Sequence, residues 1–162
     1  MNKGEINKLS NKIIIKGSKN KIIISSAESC TGGLISSALT SVPGSSKVFD
    51  RGFITYSNQA KSELLKIDID LINKHGAVSK EIAILMAEGS IKNSNANIAI
   101  SVTGIAGPDG GTKDKPVGLV HMALAVKNRK TLDFVFSFGA KDRETIRELT
   151  TLNALKNLYN NI

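Results

Sequence analysis

The chain has 162 residues, 41% of them hydrophobic, with one cysteine, two histidines and a formal net charge of +8. That length suits a single domain, 1–162, with a real core. The composition excludes a bilayer-spanning apolar run, an internal disulfide and a visible metal-ligand cluster.

Residues 1–10 carry charges but no apolar signal-peptide core, so a cytoplasmic location is expected. The positive charge suits either an anionic partner or a compositional bias. The lysines are scattered, and aromatics make up only 4% of residues, too few for base-stacking platforms. We read the charge as bias and expect no membrane and no specific nucleic-acid partner.

In chain order, Ile6, Leu9 and Ile13 are spaced for an amphipathic helix ended by Gly17. The runs 13–15 and 22–24 around Gly17-Ser18-Lys19-Asn20 also suit a β-hairpin, and the helix is preferred. A strand over 21–27 and a helix over 32–42 follow, then a turn at Pro43-Gly44-Ser45-Ser46. Residues 48–57 read as a strand, and 59–65 as a short helix carrying Lys61. Residues 71–76 close that unit. Ser79 caps the next helix, whose Ile82, Leu85 and Met86 face inward. Residues 97–102 form a buried strand that enters a loop, 103–111, with four glycines. Residues 116–126 and 131–138 read as adjacent antiparallel strands. Asp142 opens a last helix with Ile146, Leu149, Leu152 and Leu155 as its apolar stripe. This order predicts a three-layer α/β/α domain with a mixed sheet.

The chemistry concentrates at Ala27-Glu28-Ser29-Cys30-Thr31-Gly32-Gly33, a corner between strand and helix. Such a corner lies at the C-terminal end of a strand, where open α/β sheets bind ligands. Thr31 is placed to cap the helix, and the glycines permit close approach to the backbone. Ser29 would stand beside the free N–H groups of the helix start, an arrangement suited to acyl transfer. A serine here is otherwise a turn or capping residue. Cys30 is the rival nucleophile, and alternation along an extended chain would keep it and Ser29 from facing the same site. Lys61 is the candidate base, which requires burial to bring its pKa toward neutrality; otherwise it is a solvated surface lysine. The glycine loop could cradle a phosphate, or simply be a flexible connection. Arg143, in a first helical turn where a cation opposes the dipole, points to an anionic partner. His75 reads as structural.

Taken in register, the corner, Gly44-Ser45-Ser46, Arg51-Gly52-Phe53-Ile54-Thr55-Tyr56-Ser57-Asn58 with Lys61, His75-Gly76-Ala77-Val78-Ser79, Thr103 to Gly111 and Lys115-Pro116-Val117-Gly118 resemble the CinA C-terminal domain family. The resemblance covers about residues 20–155, in the form that stands without a larger N-terminal domain. It implies nicotinamide-nucleotide amidohydrolase activity, with nicotinamide mononucleotide and water giving nicotinate mononucleotide and ammonia. It further implies Ser29 as nucleophile, Lys61 as general base and Tyr56 as a hydrogen-bonding partner, with Thr103 and Arg143 in the active site. Thr31, Gly32, Gly33 and Gly104 join the substrate-binding set. Neither metal nor organic cofactor is implied, and the partners expected are a phosphorylated nucleotide and further copies of the chain. Where the family has Gly before its Asp-Arg pair, this chain has Lys141. A pyridine-nucleotide or protein-binding module without turnover is the alternative.

Overall fold

A computed structural model describes residues 2–162. Its elements are α1 (Lys3–Asn20), β1 (Ile24–Glu28), α2 (Leu34–Thr40), β2 (Phe49–Ile54), α3 (Asn58–Leu65), α4 (Ile69–His75), α5 (Lys80–Lys92), β3 (Ile98–Gly104), β4 (Leu119–Val126), β5 (Leu132–Ser137) and α6 (Arg143–Asn161). The five strands form one sheet in the order β2-β1-β3-β4-β5. β1 runs parallel to both β2 and β3, while β3–β4 and β4–β5 are antiparallel. The mixed sheet of an α/β domain is therefore present as expected.

Helical crossovers explain the parallel half, because a parallel connection must return across the sheet. α2 joins β1 to β2, and α3–α5 join β2 to β3. β1 and β3 lie at the centre with helices on both faces, so β1 is buried throughout and β3 through Thr103. On one face, Ile13 and Ile14 of α1, Ile35 and Leu39 of α2 and Leu152 and Leu155 of α6 pack on Ile100, Met122 and Leu124. On the other, Ile82 and Met86 of α5 meet Leu65, Ile72 and Ala27. Ala83 and Ala87 lie against Ala123 and Ala125, so small side chains let α5 rest close to the sheet. Among the described residues no helix is long and apolar enough to cross a membrane.

Two local expectations change, and of the two alternatives for the N-terminal segment the preferred helix is the one present. Residues 3–20 are one helix, and the hairpin is absent: Ile6, Ile13 and Ile14 all belong to the core. Gly17 does not end that helix. It continues to Asn20, and Lys21 in the left-handed region closes it by donating to the carbonyls of Gly17 and Ser18. Gly17 is instead a contact point, since a Cβ there would lie 2.6 Å from Val48 Cγ1. Residues 69–75 form α4, capped by Asp68, where only a closing segment is legible; one buried side chain, Ile72, leaves too weak an apolar period.

Gly17→Ala sets a helix-propensity gain of about 1 kcal/mol against overpacking of about 1–3 kcal/mol. We expect net destabilisation in urea unfolding. The penalty should vanish in a Val48→Ala background, where the colliding methyl groups are gone.

Candidate active site

The corner after β1 is built from the strand outward. Ser29 donates its N–H to the Val102 carbonyl at 3.0 Å, and the Glu28 carbonyl accepts from Thr55 N at 2.8 Å. The end of β1 is thus tied to both neighbouring strands. The chain then turns through Gly32 (φ 59°) and Gly33 (φ 101°), left-handed conformations that favour glycine. Gly33 precedes the first residue of α2 and offers no capping side chain.

Thr31 is not the cap. Its hydroxyl donates to Glu28 Oε2 at 2.7 Å, and Glu28 itself caps the helix. Glu28 Oε2 accepts from Gly33 N at 3.0 Å and Ile35 N at 3.1 Å, and Oε1 accepts from Ser36 N at 2.8 Å. The amides expected to face a reacting group are therefore occupied by a carboxylate with 0% exposure. The sequence does carry a signal for this: a lone carboxylate within a run of small and apolar residues, five positions before an N-cap glycine that offers no side chain.

Lys61 reaches the same corner from the other side. Ser57 Oγ caps α3 by accepting from Ala60 N at 3.0 Å, which sets Lys61 in the first turn. The lysine is 1% exposed. Its Nζ donates to the Thr55 carbonyl at 2.8 Å and to Ser29 Oγ at 3.2 Å. Among the described residues no carboxylate forms an ion pair with it. Burial is the main cause that lowers its pKa from 10.5 to about 8.

Cys30 and Ser29 both border the cavity, contrary to the alternation expected of an extended chain. Residues 29–32 turn, so the two-residue period no longer applies. Burial pushes the Cys30 thiol up to about 12, which keeps it protonated near neutral pH.

The cavity holds about 200 Å³ and opens at the C-terminal ends of β1 and β3. In the order 2-1-3 the chain's crossovers diverge there, and open sheets leave a crevice at such a point. Ser29, Tyr56, Lys61, Thr103, Gly104 and Arg143 all border it, as do Ala77, Val78 and Ala106, which were not singled out from sequence. Thr31, Gly32 and Gly33 are not brought to it. Thr31 is buried, its carbonyl accepting from Arg147 Nη2 at 2.7 Å, and the glycines shape the turn. The Thr103 hydroxyl donates to the Ala77 carbonyl at 2.8 Å, which fixes the apolar wall at 77–78. Gly104 lacks room for a side chain: a Cβ would lie 2.8 Å from the Leu119 carbonyl oxygen.

Arg143 and Tyr56 stand together at the mouth. Arg143 Nη1 donates to the Gly107 carbonyl at 2.8 Å and Nη2 to the Tyr56 hydroxyl at 2.6 Å. Tyr56 is 61% exposed. Lys141 does not displace this arginine. Asp142 caps α6 by accepting from Thr145 N at 2.9 Å, and that cap places Arg143 in the first turn. His75 does not border the cavity; its carbonyl accepts from Lys115 Nζ at 3.3 Å.

Comparison with known proteins agrees with this fold. The model of the CinA C-terminal domain matches residues 6–162. A curated relative from Caldicellulosiruptor bescii is 52% identical over 145 residues, 89% of this chain and 34% of the relative. A CinA-like protein of Geotalea uraniireducens is 51% identical over 132 residues, 82% of this chain and 31% of its own. The chain thus spans about a third of the length of the curated relatives it matches. The crystal structure of competence/damage inducible protein CihA from Agrobacterium tumefaciens superposes with a TM-score of 0.93 at 46% identity, covering 94% of this chain and 93% of that one. A CinA superfamily protein from Escherichia coli gives 0.91 at 32% identity, with 97% and 90% covered. With residues 6–162 matched by the family model and 94% of the chain superposed on a solved relative, the chain belongs to the CinA C-terminal domain family.

Proposed function

We propose that this domain is an amidohydrolase that opens the carboxamide of nicotinamide mononucleotide through Ser29 and Lys61. One observation carries the reading: a buried lysine, with no carboxylate ion-paired to it among the described residues, lies 3.2 Å from a serine hydroxyl at the wall of a cavity. A binding module without turnover would have no use for that costly arrangement.

In the neutral amine the hydrogen bond to Ser29 reverses. One N–H of Lys61 stays on the Thr55 carbonyl, and the lone pair accepts the Ser29 proton. Ser29 Oγ then attacks the carboxamide carbon. The oxyanion cannot use the start of α2, as the sequence suggests, because Glu28 holds those amides. Cys30, the residue after the nucleophile, borders the cavity, and its main-chain N–H, which meets no backbone acceptor among the described residues, is the donor we assign to the oxyanion. Collapse breaks the C–N bond, and the Lys61 ammonium returns the proton so that ammonia departs. Water, activated by the same amine, hydrolyses the acyl-enzyme to nicotinate mononucleotide. Arg143 at the mouth, with the 104–111 loop, suits the substrate phosphate.

Ammonia release from nicotinamide mononucleotide tests this. Ser29→Ala and Lys61→Ala should each lose about 10³-fold or more in kcat, as groups acting as a unit do. Cys30→Ala should keep most activity, and near wild-type turnover in either dyad variant would refute the mechanism. The base must be uncharged, so kcat/KM should rise about tenfold per pH unit below about 8 and level off above it. Arg143→Ala should raise KM about tenfold for the mononucleotide and leave the riboside unaffected, because only the former carries the phosphate.

A further inference from the structure

We infer that Glu28 is a positioning residue, whose carboxylate binds the first turn of α2 and thereby holds Ser29 within reach of Lys61. The inference rests on Ser29 as nucleophile. Glu28 does not border the cavity, so it has no direct part in the reaction. Six donors converge on its two oxygens. Oε2 accepts from the Thr31 hydroxyl at 2.7 Å and the amides of Gly33 and Ile35. Oε1 accepts from Ser36 N at 2.8 Å, Ser36 Oγ at 2.6 Å and Ser26 Oγ at 3.3 Å. Among the described residues no lysine, arginine or histidine forms an ion pair with it. The carboxylate is held by dipoles and hydroxyls alone.

The turn it binds has little to hold it locally. Residues 29–33 include two positive-φ glycines and end on an N-cap without a side chain. Two main-chain bonds, Gly32 N to Ser29 O at 3.1 Å and Leu34 N to Thr31 O at 3.4 Å, are the local closure. The main chain of Glu28 also reaches the base: its carbonyl accepts from Thr55 N, and the Thr55 carbonyl accepts from Lys61 Nζ. One residue therefore binds the nucleophile's turn through its side chain and the base's anchor through its backbone. Loosening the first should move Ser29 relative to Lys61 without opening the cavity.

Glu28→Gln tests this, because it keeps the shape but turns one acceptor oxygen into a donor facing donors. Ser29 is titrated with an alkyl fluorophosphonate: the Oγ–P bond forms, the P–F bond breaks, fluoride leaves and Lys61 takes the proton. A displaced nucleophile should be labelled about 10²-fold more slowly yet still reach one label per chain. For ammonia release kcat should fall in parallel, with KM within about threefold. A purely structural role predicts the opposite: an unchanged labelling rate with incomplete labelling, or a lower melting temperature alone. Either result in folded Glu28→Gln overturns the inference. If that variant does not fold, Ser36→Ala decides, since it removes one donor; labelling slowed about threefold or more supports the inference and an unchanged rate overturns it. A wild type that labels at Ser29 but releases no ammonia refutes the proposed reaction alone, and the labelling rates still judge Glu28. A wild type that takes no label at Ser29 overturns both.

Discussion

The site depends on an amine kept out of water. Lys61 is among the largest fully buried side chains of the protein, and its Nζ meets one carbonyl and one hydroxyl rather than a carboxylate. Moving its pKa from 10.5 to about 8 corresponds to about 3 kcal/mol by which the protein disfavours the charged form. Such a cost is ordinarily removed by a counter-ion. Here it is retained, and it leaves a base that can be uncharged near physiological pH.

A counter-ion is close by in sequence, which makes its absence from the pair informative. Glu28 is one residue from Ser29, and a carboxylate salt-bridged to Lys61 would hold the amine protonated. Instead its oxygens are filled by the amides of Gly33, Ile35 and Ser36 and by neighbouring hydroxyls. The helix start thus occupies the oxygens of the acid while burial disfavours the charged form of the base. Ser29 lies between them, on the short turn that both constrain. Cys30 shares the wall but stays a protonated thiol, and the Ser29 hydroxyl is the group that lies within reach of the amine.

The sheet explains why these residues meet. With β1 central and its parallel neighbours on either side, the ends of β1 and β3 open into one crevice, and the stretch after β2 returns Tyr56 and Lys61 to it. α6, whose sequence is farthest from the corner, completes the mouth by laying Arg143 across Tyr56 and Gly107. Arg147, one turn later, holds the Thr31 carbonyl from behind. The last helix therefore contributes to the site as well as to the core.

Much of this was legible in the linear chain. Apolar runs at 22–24 and 97–102 and helical stripes such as Ile146, Leu149, Leu152 and Leu155 report burial directly, because period and composition are local properties. Ordered motifs likewise pointed to Ser29, Lys61, Tyr56 and Arg143 as members of one site. What periodicity could not carry was contact across long separations. Gly17 reads as a helix end until Val48 is seen against it, and Thr31 reads as a cap until the Glu28 carboxylate is seen underneath. The sequence alone determined most of the elements, though not α4, and which side chains could do chemistry, since those follow from spacing and residue type. Only the tertiary structure decided that the amine is desolvated, that the acid is diverted to the helix and that the helix amides are spent, because solvation and hydrogen-bond partners exist only once distant segments pack.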